Sequence, residues 1–425
     1  MTPDGRERDS TASDGLAPYF ARTFPALTHR DFRLFWIGQL ISLIGTWLQS
    51  TAQSWLVYTL TNSAWKLGLI GVFQFAPMLL FSLFAGALID RLPKRRLLLI
   101  TQSVLTVQAV VLGILTLTGV VQYWHVAVMA LILGLANTMD MPGRQAFVKE
   151  MVAGEEHVMN AVALNSTIFN LARWVGPGLA GILISRVGIG WAFILNALSF
   201  LPVIYGIYLM EAGRHSLGKS AASVWESAKA GLKYVQQNPR LGRTLLLLFL
   251  LSVFSINFSV LITVFARDYL GLGAEGYGLT VAAMGFGALV GAGALVVLSR
   301  QGPKAVYIYS GALGLSFFQL LMPATHSVLL ARLFVALAGF SMIVFISNIN
   351  TLLQIGSADE YRGRVMSLYT LVFGGSTPIG NLMIGGITQR FGVAVALYFS
   401  GVVGILVTLG YMFVRSQVRR ARSPA

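Results

Sequence analysis

Apolar runs of about 20 residues recur along the chain, separated by short polar stretches. A helix needs about that many apolar residues to cross the hydrocarbon core of a bilayer. The pattern predicts twelve spanning helices, over 34–60, 67–89, 97–119, 124–147, 157–185, 190–210, 243–266, 276–298, 304–323, 327–353, 363–388 and 393–414. The strict two-residue alternation of a membrane barrel is missing. Residues 1–28 are polar, lack the apolar stretch of a cleavable signal peptide, and read as a disordered tail. The longest later polar stretch, 211–242, parts the first six runs from the last six. Within it, Lys219–Gln237 sets Val224, Leu232 and Val235 among Lys and Ser, the pattern of a helix lying on a membrane surface. The expected fold is therefore an all-α integral membrane protein. It has six-helix halves at 29–210 and 243–414, a linker between them and a basic tail at 415–425.

Composition agrees with lipid as the solvent. Charged residues make up 11% of the chain, against about 25% in soluble domains. The net charge of +15 is not a nucleic-acid signature, because the basic residues sit in short loops between apolar runs. Of the 31 Lys and Arg, 25 fall in the segments on the same side as both termini, five fall at the opposite ends, and Arg173 alone is mid-span. By the positive-inside rule both termini and the linker are cytoplasmic. The expected place is the cell (inner or plasma) membrane, with the lipid bilayer as the chain's surroundings. There is no cysteine, the five His show no metal-binding spacing, and no phosphate-binding GxxxxGK[ST] loop occurs. No metal, cofactor, ATP use or enzymatic chemistry is expected.

The halves repeat. At an offset of 204, Gly154-Glu155-Glu156-His157 aligns with Ala358-Asp359-Glu360-Tyr361, and Gly176, Gly181 and Gly188 align with Gly380, Gly385 and Gly392. Each acidic pair opens a span, where the helix dipole favours negative charge. A parallel repeat of six spans is the plan of a transporter whose halves rock about a site between them.

The loop between spans 2 and 3 reads Gly86-x-x-x-Asp90-Arg91-x-Pro93-Lys94-Arg95-Arg96. It resembles the G-x-x-x-D-R-x-G-R-R/K signature of the major facilitator superfamily, with Pro93 in place of the second Gly. The resemblance covers about 29–414. It implies a cytoplasmic latch between the halves, carried by Gly86, Asp90, Arg91 and Arg95 with Arg144. The matching loop of the second half, Gly293 to Lys304, has no acid, so the latch is one-sided. In span 5, Gly176-Pro177-Gly178-Leu179-Ala180-Gly181 resembles the G-P-x-x-G-G of the antiporter branches. Tight helix packing explains the same residues. Phe32-Arg33-Leu34-Phe35-Trp36, Asp140-Met141-Pro142-Gly143-Arg144 and Asp359-Glu360-Tyr361-Arg362-Gly363 are similar to the branch of enterobactin exporters and macrolide-efflux proteins. That branch implies drug:proton antiport.

Charge at a membrane centre costs about 2.5–3.5 kcal/mol on insertion scales. Two groups stand within spans, Asp140 in the inner half of span 4 and Arg173 near the middle of span 5. Asp140 can carry the coupled proton, or it can pair with Arg144 one turn on and brace the bundle. Arg173 can meet an anionic substrate group or Asp140, from which it differs in depth by about 10 Å. Gln39, Gln49 and Gln53 form a stripe on span 1. With Asn137, Asn170, Asn257, Asn348 and Asn381 they are expected to line a substrate cavity, because the superfamily places spans 1, 4, 7, 10 and parts of 5 and 11 there. The expected function is proton-coupled efflux of an amphiphilic small molecule, drug-like or siderophore-like, by a monomer. A lipid or lysolipid translocase and a non-transporting receptor or scaffold are the alternatives.

Overall fold

The computed structural model describes residues 23–152, 154–212, 224–298 and 305–422. The side chains of 82–88, 90, 91, 224–228, 297, 298 and 418–422 lie outside that description. The first half comprises α1 Arg30–Thr61, α2 Ala64–Arg91, α3 Lys94–Leu117, α4 Tyr123–Met151, α5 Glu155–Arg186 and α6 Ile189–Leu209. The linker contributes α7 Val224–Gln237. The second half comprises α8 Pro239–Phe254 and α9 Phe258–Val264, which make one span, then α10 Ala274–Leu298, α11 Ala305–Leu321, α12 Val328–Gly356, α13 Asp359–Phe391 and α14 Val393–Arg422. Among the described residues, twelve helical units stand near the expected apolar runs. Ten are long and apolar enough to cross a membrane by length and composition alone. The other two, α1 and α13, are more polar. α1 keeps Gln39, Ser42, Gln49, Thr51 and Gln53 buried inside the protein.

The repeat is visible in the backbone. Gly188, ahead of α6, and Gly392, ahead of α14, both take positive φ, 109° and 85°. An L side chain is strained there, and glycine is not. Gly181 packs on α10, where a Cβ would come within 2.9 Å of Gly278 Cα. Its repeat mate Gly385 packs on α2, within 2.8 Å of the Ala64 carbonyl. Gly176 meets Trp47 of α1, and Gly380 meets Asn257 beside α9. The same small residues thus make the same close crossings in both halves, two of them across the seam that joins the halves.

Span 7 departs from the expected continuous run over 243–266. It breaks between Phe254 and Phe258, and its far end widens into a π-helical turn, Phe265–Tyr269. No proline causes the break. The loosened backbone is held by neighbours: Gln319 Nε2 donates to the Ser255 carbonyl at 2.7 Å, Ser255 Oγ donates to the Ser400 carbonyl at 3.1 Å, and Asn257 Nδ2 donates to the Val253 carbonyl at 2.6 Å. Irregular backbone at membrane depth is tolerated where protein groups satisfy it in this way.

The ends of the chain segments differ from expectation too. Within the expected tail, Pro25–Thr28 forms a 3-10 turn with Ala26 fully buried, and Ala26 N–H donates to Asn160 Oδ1 of α5 at 3.3 Å. Residues 1–22 lie outside the described residues. The linker helix docks on the second half: Tyr234 stacks on Tyr361 with ring centres 4.3 Å apart, and Ala358 N–H donates to Tyr234 Oη at 3.0 Å.

Packing differs between the two ends of the bundle. At the end bearing the loops 62–63, 187–188 and 270–273, one apolar core runs across both halves, from Ala52, Leu56 and Leu67 to Phe265, Ile384 and Leu397. At the end bearing α7 and the first residues of α1, there are separate cores. One holds Phe32, Phe35, Phe147 and Ile207 of the first half. The other holds Leu241, Leu245, Phe345 and Val365 of the second. Among the described residues, the halves share one apolar core at one end, the sealed end, and keep separate cores at the other, the parted end.

Candidate functional site

The seal is built from aromatic and charged residues of α1 set against the second half. Trp55 stacks on Tyr277 of α10 with ring centres 5.2 Å apart. Tyr58 Oη donates to Asp268 in the π-helical turn. Arg267, beside it, lies over the rings of Trp55 and Tyr58, at 5.6 and 5.1 Å, and donates to Thr59 Oγ1 at 3.3 Å. A cavity of about 410 Å³ borders this lock and is lined by Tyr58, Asp268, Tyr269 and Thr388 among others. None of the lock residues stands out in the sequence patterns above. The available signal was an acid–base pair, Arg267-Asp268, at an end of the molecule that holds few basic residues.

At the parted end, the buried carboxylate of Asp140 is fully engaged inside the first half. Arg144 Nε reaches its Oδ2 at 2.5 Å, and Thr101 Oγ1 and Gln102 Nε2, both of α3, donate to its Oδ1 at 2.7 Å. Arg144 also donates to Gln39 Oε1 of α1. One carboxylate thereby ties α1, α3 and α4 together. A buried charge is tolerated when it is paired and hydrogen-bonded in this fashion. Gln39 serves this network and Gln49 another: Gln49 donates to Gln108 at 3.0 Å and accepts from Asn196 Nδ2 at 2.7 Å. The span 1 stripe therefore turns at these positions toward α3, α4 and α6. Gln53 is buried as well.

The other expected cavity residues scatter. Asn257 is occupied by the span 7 break, and the amide of buried Asn348 donates to the Val344 carbonyl at 2.8 Å. Asn381 is buried on the seam between α13 and α2, where a Cβ added at Gly71 would come within 2.2 Å of its Nδ2. Asn170 donates to Ser166 of its own helix at 2.8 Å, and Asn137 is half-buried on α4.

Of the expected latch, the side chains of Gly86, Asp90 and Arg91 lie outside the described residues. Arg95 turns within its own half. Its Nε donates to the Ile207 carbonyl at 3.0 Å, and a second guanidinium nitrogen donates to the Tyr208 carbonyl. A cation at these last carbonyls of α6 complements the negative end of the helix dipole. Lys94 pairs with Glu150 of α4 at 2.7 Å. In the antiporter-like stretch, Gly176 and Gly181 are close-packing positions, and a Cβ at Gly278 would come within 2.6 Å of the Pro177 carbonyl.

Arg173 is separate from Asp140. Its guanidinium lies over the Trp47 ring of α1, 5.6 Å from the ring centre, and its Nη2 lies 3.9 Å from Met342 Sδ of α12. Trp47 in turn meets Phe169 edge to face at 5.8 Å. Arg173 therefore reaches from the first half to the second.

The profile of the transmembrane secretion effector family matches residues 21–424. The chain is 22% identical over 391 residues to the staphyloferrin A transporter of Staphylococcus aureus, covering 91% of this chain and 97% of that protein. It is 24% identical to the enterobactin exporter EntS of Citrobacter koseri, covering 93% and 94%. It is also 24% identical to the multidrug efflux pump Tap of Mycolicibacterium fortuitum, covering 82% and 87%. Its fold is that of the nucleoside transporter NupG, with a TM-score of 0.70 at 12% identity over 90% of this chain and 98% of that one. A bacterial homologue of the lysosomal transporter Spinster scores 0.68 at 14% identity, over 97% and 100%. The chain is a multi-pass membrane protein of the transmembrane secretion effector family, within the major facilitator superfamily.

Proposed function

We propose that this protein exports an amphiphilic small molecule by alternating access, with proton entry driving export. Both termini lie in the cytoplasm in this reading, and the unit that works is a monomer. The observation that carries it is the asymmetry of packing: one core shared by both halves at one end, two separate cores at the other. A rocking transporter needs two such ends, one sealed while the other is open. With the termini inside, the structure corresponds to the arrangement that loads from the cytoplasm. The curated relatives, two siderophore transporters and a drug pump, support an amphiphilic cargo.

Asp140 is the coupling candidate in this reading. Protonation would remove the charge that holds Arg144, and with it the tie through Gln39 to α1. Proton uptake would thereby loosen α1 against α3 and α4. The test uses purified protein in proteoliposomes with an imposed pH gradient. Wild-type protein is expected to move a labelled amphiphile against the proton flow, and Asp140→Asn to lose that coupling. Absence of flux in wild type at either gradient polarity would overturn the transport reading. Wild-type coupling in Asp140→Asn would remove Asp140 from the proton path.

A further inference from the structure

We infer that Arg173 is the ligand for an anionic group on the transported molecule, and that the transported class is anions bearing an aromatic or other planar apolar body. This rests on the transport reading above and specifies its cargo.

The argument begins with position. On α5 the close contacts with the second half run from Gly181 against Gly278, through Gly178 against Ala282, to the Arg173 carbonyl against Gly285. The guanidinium of Arg173 projects from the last of these contacts toward α1 and α12. It therefore stands between the two halves, among α1, α5 and α12, about 27 Å along the helix from Glu155 at 1.5 Å per residue.

The chemistry of its surroundings is one-sided. Among the described residues no carboxylate lies within 4 Å of Arg173; the ion pairs there are Lys94–Glu150, Arg144–Asp140 and Arg362–Asp359. Its neighbours are the faces and edges of Trp47 and Phe169 and the sulfur of Met342. These groups attract a cation weakly and cannot neutralise it. An intramembrane cation without a fixed counter-ion favours a mobile one. A guanidinium offers a planar fork of donors that suits carboxylate, sulfonate or phosphate. The adjoining rings offer apolar contact to the rest of the same molecule. Asp140 shows the contrast: its charge is cancelled by Arg144 within the protein, so it leaves no demand for a ligand.

The full-length protein in nanodiscs provides the test, with two fluorescent probes that share one ring system. 8-Anilinonaphthalene-1-sulfonate is anionic and N-phenyl-1-naphthylamine is neutral. Binding is measured against empty nanodiscs. Wild type is expected to prefer the anion by about tenfold, the equivalent of one good charge-assisted contact. Arg173→Gln should bring the ratio to about one without weakening the neutral probe, and Arg173→Lys should keep part of the preference. Met342→Glu, which leaves Arg173 in place but supplies a fixed carboxylate, should abolish the preference as well. An unchanged ratio in Arg173→Gln or in Met342→Glu, no preference in wild type, or no binding of either probe would overturn the inference. Flux of the two probes in proteoliposomes is read separately. Flux that does not depend on Arg173 sinks this inference alone, whereas no flux of either probe sinks the transport reading and leaves the binding ratio to decide the site.

Discussion

The two ends of the bundle are built from the same repeat and hold together by different means. At the sealed end, the bonds that matter cross between halves: Tyr58 to Asp268, Arg267 to Thr59, Trp55 on Tyr277. At the parted end, those among the described residues stay within a half: Arg144 to Asp140, Lys94 to Glu150, Arg95 on the last carbonyls of α6. The first kind must break and re-form if the halves rock. The second kind holds the helices of each half to one another. The sealed end also relies on neutral close packing of glycines, which separates without leaving a buried charge behind.

The largest effect is expected from the rigid end. Arg144→Met leaves the Asp140 carboxylate buried beside Thr101 and Gln102 with no cation. Breaking a buried pair in this way costs about 3–5 kcal/mol, read as a fall in the unfolding midpoint of the purified protein. Wild-type stability would show that the network does not brace the first half.

Next comes the seam. Gly278→Val puts side-chain atoms where even a Cβ would come within 2.5 Å of Gly181 Cα. Overpacking of this sort costs about 1–3 kcal/mol, charged here to the sealed arrangement alone. Spin labels on introduced cysteine pairs should show the sealed end opened and the other end closed, with transport falling by about tenfold for each 1.4 kcal/mol. The chain has no cysteine of its own, so such pairs need no background substitutions. Unchanged distances would mean that the seam does not hold the seal.

Tyr58→Phe is smaller. It removes one hydrogen bond to Asp268, worth about 1 kcal/mol, because the bordering cavity allows water to replace it. The same labels should report a modest rise in the fraction open at that end, and no shift would make the lock incidental.

The smallest change is expected from Asp90→Asn, at the end of α2, in the stretch that the superfamily resemblance makes a latch. It should weaken the arrangement closed at the terminal end by about 1 kcal/mol, the upper range for an ion pair at a membrane surface. Transport should slow while the affinity for a bound probe stays the same. A loss of affinity would make Asp90 part of the binding site instead.

Much of this was legible in the residues. The Asp140–Arg144 pair follows from a spacing of four on a helix, and the mismatch in depth between Asp140 and Arg173 follows from counting residues. The stripe Gln39, Gln49, Gln53 was legible as a stripe but not as a destination. Helical spacing says that residues share a face; it does not say which neighbour that face meets. For Gln39 and Gln49 the neighbours proved to be α3, α4 and α6, whose own amides and charges absorb them. Asn257 and Ser255 read as polar residues in a span, while their task, holding a broken backbone, depends on Gln319 and Ser400 from distant segments. The lock at Tyr58 and Asp268 is not legible in the sequence, because neither residue is unusual until the other is placed against it.

By itself the sequence determined that the chain is helical and membrane-spanning, roughly where its apolar runs lie and the positions where small residues repeat. These follow from the thickness of the bilayer, the exclusion of charge from lipid and the 204-residue offset, all of which act on one segment at a time. Only the tertiary structure decided which end is sealed, which polar groups are consumed within the halves and which cation is left over between them. Those outcomes depend on pairs of side chains brought together from distant segments, and no periodicity along the chain encodes such a pair.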